Sequence, residues 1–264
     1  MLAALGLSLA DYDVLSPPKF AGLRNYGELL GDGRVLVVYR NTLFFVVGLV
    51  SLDAIVALIL ALGVNRPMHA VFRYVFRTCY FFPVLTSLAS VSLVWAYIYH
   101  ADFGVLNYYL RQIGIPGVPW VTSSQWAIPS LVLLSLWKTV GFNFILFLAG
   151  LQNIPRHLYE AARIDGANSW NLFCYITMPM LTPTLFFAIV IALINGFQIF
   201  DSAFILTQGG PGDATRTVVM YIYENAFRFF RMGYASTIAL SLFLVILTLT
   251  IIQFRVGKVW VFYQ

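Results

Sequence analysis

The sequence predicts an all-α fold, a polytopic bundle of transmembrane helices, and three observations carry that expectation. The 264 residues are 60% hydrophobic and only 10% charged, against about 25% charged in an ordinary soluble domain. Such a chain cannot clothe a water-facing surface. Crossing a bilayer takes about 20 mainly apolar residues, and five stretches qualify, near 42–63, 78–99, 128–151, 183–206 and 235–254. Their Leu, Phe, Val and Ile runs lack the period-two alternation of a membrane β-barrel.

Residues 1–10 are apolar but too short to cross, and they lack the basic start of a signal peptide. They read as the tail of a first span, so the expectation is five full spans plus an N-terminal partial span. No linker, low-complexity tract or internal repeat divides the chain, and 1–264 is taken as a single transmembrane domain. The wider loops carry turn punctuation, "GIPGVP" at 114–119 and "GGPGD" at 209–213. The aromatic stretch 216–234 fits either a helix lying in the interface or one packed against neighbouring spans.

Five spans alternate the loops between two sides. Loops 64–77 and 152–182 with the C-terminus carry seven Lys and Arg, whereas 11–41, 100–127 and 207–234 carry eight. The count decides no orientation, and density leans slightly towards the first side as cytoplasmic.

Several chemistries are excluded. No GxxxxGK[ST] cradle for a phosphate is present, since Lys138-Thr139 follows Trp137 inside a span. No nucleophile–base constellation stands out. Cys79 and Cys174 are distant in sequence, and His69, His100 and His157 lack ligand spacing. Neither metal, cofactor, nucleic-acid partner nor enzymatic activity is expected. Energised work would draw on a partner or an ion gradient.

Charges at membrane depth are costly and face a bundle interior or a water-filled path. Asp53 and Lys138 fall near the middle of spans running in the same direction, which predicts an intramembrane ion pair, either a brace or part of a transport path. Asn195, Gln198 and Asp201 recur at three-residue steps and would share a broad helix face. That face could hydrogen-bond hydroxyl-rich cargo or serve as interhelical glue. Asn143 is a weaker candidate of the same kind.

The segment 152–182 is patterned rather than random. Pro155 suits a helix start, Arg156 to Ile164 are good helix formers, and Asp165-Gly166 reads as a stop with Gly in the left-handed position. Asn168 or Ser169 can cap a second helix running to Pro179, with Trp170, Phe173 and Ile176 as an apolar stripe. Ala161 and Ala162 leave room for close approach. The expected product is a compact helix–turn–helix outside the membrane, with an aromatic knob suited to a partner's cleft.

Glu160-Ala161-Ala162, Asp165-Gly166-Ala167, Phe173, Ile176, Pro179 and Pro183 match EAA-x2-DGA-x5-F-x2-I-x2-P-x3-P. This pattern resembles the EAA loop of the membrane subunits of binding-protein-dependent ABC importers. "LSPPKFAGLRNY" (15–26), "NTLFF" (41–45), "FRTCYFFPVLTS" (76–87) and "LTQGGPGDATRT" (206–217) are similar to the carbohydrate-uptake branch, and most to the first of two paired permeases. The resemblance runs from about residue 11 to the end. It implies a type I ABC importer permease of a prokaryotic cell membrane, with the EAA loop and C-terminus cytoplasmic. It also implies a non-catalytic subunit importing a sugar or sugar-like solute. A second permease, two ATPase subunits, an extracytoplasmic solute-binding protein and membrane lipid would be its partners. The loop would be the coupling helix, with Glu160, Asp165 and Gly166 its most characteristic positions. An ion-gradient-driven secondary transporter is the alternative, although no broken-helix ion site is evident.

Overall fold

The computed structural model describes residues 2–262. The chain opens with α1 (Leu2–Ser8), then strands β1 (Ala10–Asp11) and β2 (Lys19–Phe20), paired antiparallel with Ala10 opposite Phe20. Next come α2 (Arg24–Gly31), α3 (Gly33–Asn65), α4 (Ala70–Phe81), α5 (Leu88–Ile98) and α6 (Val105–Gln112). The remainder is α7 (Ser124–Asn153), α8 (Arg156–Ile164), α9 (Ser169–Leu172), α10 (Met178–Phe197), α11 (Asp201–Leu206), α12 (Val218–Tyr223) and α13 (Met232–Trp260). Among the described residues four helices are long and apolar enough to cross a membrane: α3, α7, the continuous run Ser169–Phe197, and α13. A fifth crossing exists only if the bent pair α4–α5 counts as one.

Two sequence expectations are corrected. The stretch 78–99 is not one helix. It breaks through a 3-10 turn at Phe82–Leu85, and the helices before and after are bent by 102°. Pro83 has no N–H to continue the α-helical ladder, and Thr86 ends the turn in an extended conformation, its N–H returning to Pro83 O at 3.1 Å. Nor does a new span begin at 183. The helix that starts at Ser169 runs through one π turn, Phe173–Thr177, into α10 and on past Pro179 and Pro183. Pro183 leaves the carbonyl of Pro179 without its helical donor, and Thr182 Oγ1 supplies one at 2.6 Å.

The chain divides into two compact units. The first takes the chain up to Gly48, Ser87–Leu134 and Ile194–Leu249; the second takes Leu49–Thr86, Ser135–Leu193 and the chain from Thr250. Val38, Tyr99, Leu131, Leu134, Val218, Met220 and Ile238 are fully buried in the first unit. Asn107 organises its 101–120 segment, donating to Ala101 O and Val118 O at 3.0 Å and accepting from Val118 N and Trp120 Nε1 at 2.9 Å. Asn41 Nδ2 donates to Asp213 O at 2.5 Å, and the hydroxyl of Thr42 caps Val218 N at 3.1 Å. The stretch 216–234 divides: Val218, Met220 and Tyr221 pack inward, while Phe227, Phe229 and Phe230 are exposed.

The second unit has an apolar core of Ala57, Ala61 and Val64 from α3, Phe144, Phe147, Leu148 and Leu151 from α7, and Leu181 and Ala188 from α10. Two glycines on α7 set the packing distances, as small residues do between membrane helices. A Cβ on Gly150 would lie 2.7 Å from Leu181 Cδ1, and one on Gly141 would run into the carbonyl oxygen of Tyr80.

Candidate functional site

The segment 155–177 follows the sequence expectation closely at its turn. Gly166 has φ +82°. Its N–H donates to Arg163 O at 3.1 Å, and Ala167 N–H donates to Ala162 O at 2.9 Å. This is the double hydrogen bond of a Schellman stop, so the Asp-Gly-Ala run ends α8 by geometry. Of the two candidate caps the structure uses Asn168, whose side chain accepts from Asn171 N at 2.8 Å. Pro155 stands just outside α8, at its N-cap.

The predicted stripe is graded. Trp170 is 69% exposed, Phe173 is half-buried with its ring 5.7 Å from that of Trp170, and Ile176 packs against the second unit's core. Ile164 and Tyr175 are also exposed, at 86% and 78%. Glu160, Ala161, Asp165 and Gly166 are exposed, and Ala162 and Ala167 partly so. The stripe lies on the helix that becomes α10, so Pro179 marks no helix end.

Two residues that the sequence did not single out anchor this element. Tyr159 and Leu158 pack on the core, and Tyr159 OH lies 3.0 Å from Thr177 Oγ1, joining α8 to the π turn. Tyr159 sits beside Glu160 and faces the other way; an apolar i, i+1 pair within an amphipathic helix was the available signal. The element can therefore present a rigid, partly apolar surface and transmit a push on α8 to α10.

The predicted Asp53–Lys138 ion pair is not formed. Thr139 Oγ1 lies 3.2 Å from Asp53 Oδ1, and Asn143 Nδ2 donates to Asp53 Oδ2. Lys138 Nζ instead donates to Pro83 O at 2.9 Å and Val84 O at 2.7 Å. The break at 82–87 explains the difference, because it turns the carbonyls of Pro83 and Val84 out of an α-helical ladder, where the ammonium of Lys138 reaches them. Asn143 thereby serves Asp53.

Asn195, Gln198 and Asp201 do not share one helix face. Asn195 lies on the last turn of α10, Gln198 in the turn after it, and Asp201 opens α11. All three are exposed around that turn. Beside them Phe200 stacks on Phe204 at 5.1 Å, and both meet Tyr223, at 5.2 and 5.5 Å. Amide, carboxylate and ring faces together suit a hydroxylated ligand. The aromatic members were missed because Tyr223 is distant in sequence. Among the described residues no cluster of His, Cys, Asp and Glu could hold a metal ion.

Residues 54–258 match the family model described as binding-protein-dependent transport system inner membrane component. The chain is 38% identical over 247 residues to a lactose transport system permease protein of Rhizobium radiobacter, covering 91% of this chain and 82% of the relative. It is 33% identical to a trehalose/maltose transport system permease protein of Thermococcus litoralis, covering 94% and 83%. A solved bacterial ABC transporter involved in import of the acidic polysaccharide alginate superposes with a TM-score of 0.85 at 23% identity, over 97% of this chain and 88% of that one. A second, the alginate transporter in complex with a pentasaccharide-bound periplasmic protein, gives 0.80 at 25% identity, over 88% and 81%.

Proposed function

We propose a sugar-conducting role for this chain, which belongs to the family of binding-protein-dependent transport system inner membrane components. It is a membrane-embedded, non-catalytic permease subunit that works with a second permease, two ATP-hydrolysing subunits and an extracytoplasmic binding protein. Its solute is a sugar or sugar-like molecule. Support for the solute comes from the relatives that carry lactose and trehalose or maltose, and from the amide, carboxylate and ring faces around the α10–α11 turn. Family membership favours this role over an ion-gradient-driven transporter.

The finer arrangement belongs to the same proposal. The chain crosses five times, α4–α5 counting as one broken crossing, and α1 is a partial span. The α8–α9 element and the C-terminus face the cytoplasm. Asn195, Gln198 and Asp201 line the solute's path. One observation carries the coupling role: α8 ends in a two-bond stop that projects Ile164 and Trp170 outward while Tyr159 ties the same helix to the π turn that leads into α10. A partner groove that moves this element moves the helix behind it.

The test is uptake by proteoliposomes holding the assembled complex, with labelled disaccharides and the binding protein outside. Uptake is expected only with ATP, and Asp201→Ala is expected to lower it about tenfold or more, the loss of a hydrogen bond to a buried polar ligand group. Uptake driven by an ion gradient without the ATPase subunits refutes the proposal.

A further inference from the structure

The second unit carries eight Lys and Arg but three Asp and Glu. None of the six ion pairs among the described residues lies in it. Two of its cations are not simply solvated. Arg73 and Arg77 stand one turn apart on α4, on the side of Tyr80, whose ring meets Phe144 at 5.3 Å. Each is half-buried, and each has a covered Nε with no hydrogen-bond acceptor. Neither guanidinium makes a hydrogen bond or ion pair among the described residues.

Like charges four apart on a helix repel each other, and a covered donor without an acceptor is costly. Two guanidiniums so placed are suited to an anionic group. The rest of α4 indicates where that anion comes from. Its outward residues Val71, Phe72, Tyr74, Val75 and Phe76 are all exposed and apolar. Twelve residues make a helix of about 18 Å, too short to cross. As the first leg of the broken crossing, with an apolar outer face and inward arginines, it enters the membrane at the depth of lipid headgroups.

We propose that Arg73 and Arg77 hold the phosphate of an anionic phospholipid, its headgroup wedged beside α4 and its acyl chains against Phe72, Val75 and Phe76. Guanidinium forks match phosphate oxygens in pairs, and basic pockets beside membrane helices take anionic headgroups in this way. The inference requires only that the chain sit in a membrane; it does not depend on the solute or on the coupling role.

The experiment is native mass spectrometry of the assembled transporter, delipidated and then titrated with phosphatidylglycerol or phosphatidylcholine. The intact complex is expected to retain phosphatidylglycerol preferentially. R73A/R77A is expected to bind it about thirtyfold more weakly, the scale of losing two cations near a headgroup. R73K/R77K, which keeps the charges without the forks, should fall between. R24A, at an exposed ion pair of the first unit, should match the unaltered complex. R73Q/R77Q reads the same loss should the alanine variant not assemble. Equal phosphatidylglycerol retention with and without the arginines overturns the proposal. So does a variant that releases a partner subunit while retaining the lipid, which would assign the anion to a protein carboxylate.

Discussion

The two units keep their charges in opposite ways. In the first, Glu224 is buried with Arg216 Nε 3.0 Å from its carboxylate and Arg228 at 3.8 Å, while Asp213 meets both Arg216 and Arg34. Asp32 accepts from Tyr221 OH at 2.5 Å and Tyr234 OH at 2.7 Å. These bonds fasten the loop 207–217 and α12 within their own unit. In the second unit the buried polar groups are few, and Lys138 donates to the carbonyls of Pro83 and Val84. One region spends its charges on its own shape. The other makes no ion pair among the described residues, and it includes the segment proposed for coupling.

Substitutions can break that contrast. Glu224→Ala removes the buried carboxylate that meets Arg216 and Arg228, leaving Arg216 only Asp213, and is expected to cost about 1.5–3 kcal/mol, read as a drop in the complex's unfolding temperature. Glu160→Ala, an exposed residue without an ion pair, should leave that temperature unchanged while lowering ATP-coupled uptake. Equal effects of the two on stability would erase the distinction. Gly141→Val should cost about 1–3 kcal/mol or more by forcing α7 off the backbone of Tyr80, measured in the same melts. A Cβ on Gly166 meets nothing within 4 Å, so Gly166→Ala isolates the left-handed backbone at about 1–2 kcal/mol. Gly166→Asn should cost less.

The smallest effect concerns pH. Burial tends to raise the pKa of Asp32, but the hydroxyls of Tyr221 and Tyr234, the N–H of Arg34 and its charge outweigh it and hold the carboxyl below its ordinary value of 3.8. A depressed native pKa contributes stability above the unfolded value and loses it as pH falls through the native one. Melting temperature should therefore decline below about pH 4, and less so in Asp32→Asn. An identical acid slope in both proteins would remove Asp32 from the network.

Much of the fold was legible because lipid imposes a simple rule on composition. The helical class, the apolar runs of α3, α7 and α13, and the Gly166 stop with its Asn168 cap all follow from local chemistry. What the sequence hid was direction and partnership. Hydropathy is the same whether 78–99 runs straight or breaks at Pro83, and the break decides where Lys138 goes. Pro179 looked like an end and 183 like a new start, because the rescue of the Pro179 carbonyl by Thr182 depends on a rotamer. Three-residue spacing put Asn195, Gln198 and Asp201 on a helix that in fact stops at Phe197. Tyr223 entered the same neighbourhood only through tertiary packing.

The coupling role of the 155–177 element is the central claim, and Gly166→Trp in the reconstituted complex tests it most directly. A bulky side chain at an open, left-handed position reshapes the projecting surface and leaves the core of the second unit untouched. Membrane insertion and basal ATP hydrolysis should persist, while binding-protein-stimulated hydrolysis and solute uptake fall at least about tenfold, the loss of roughly 1.4 kcal/mol of coupling. Uptake at the unaltered level in that variant would contradict the account.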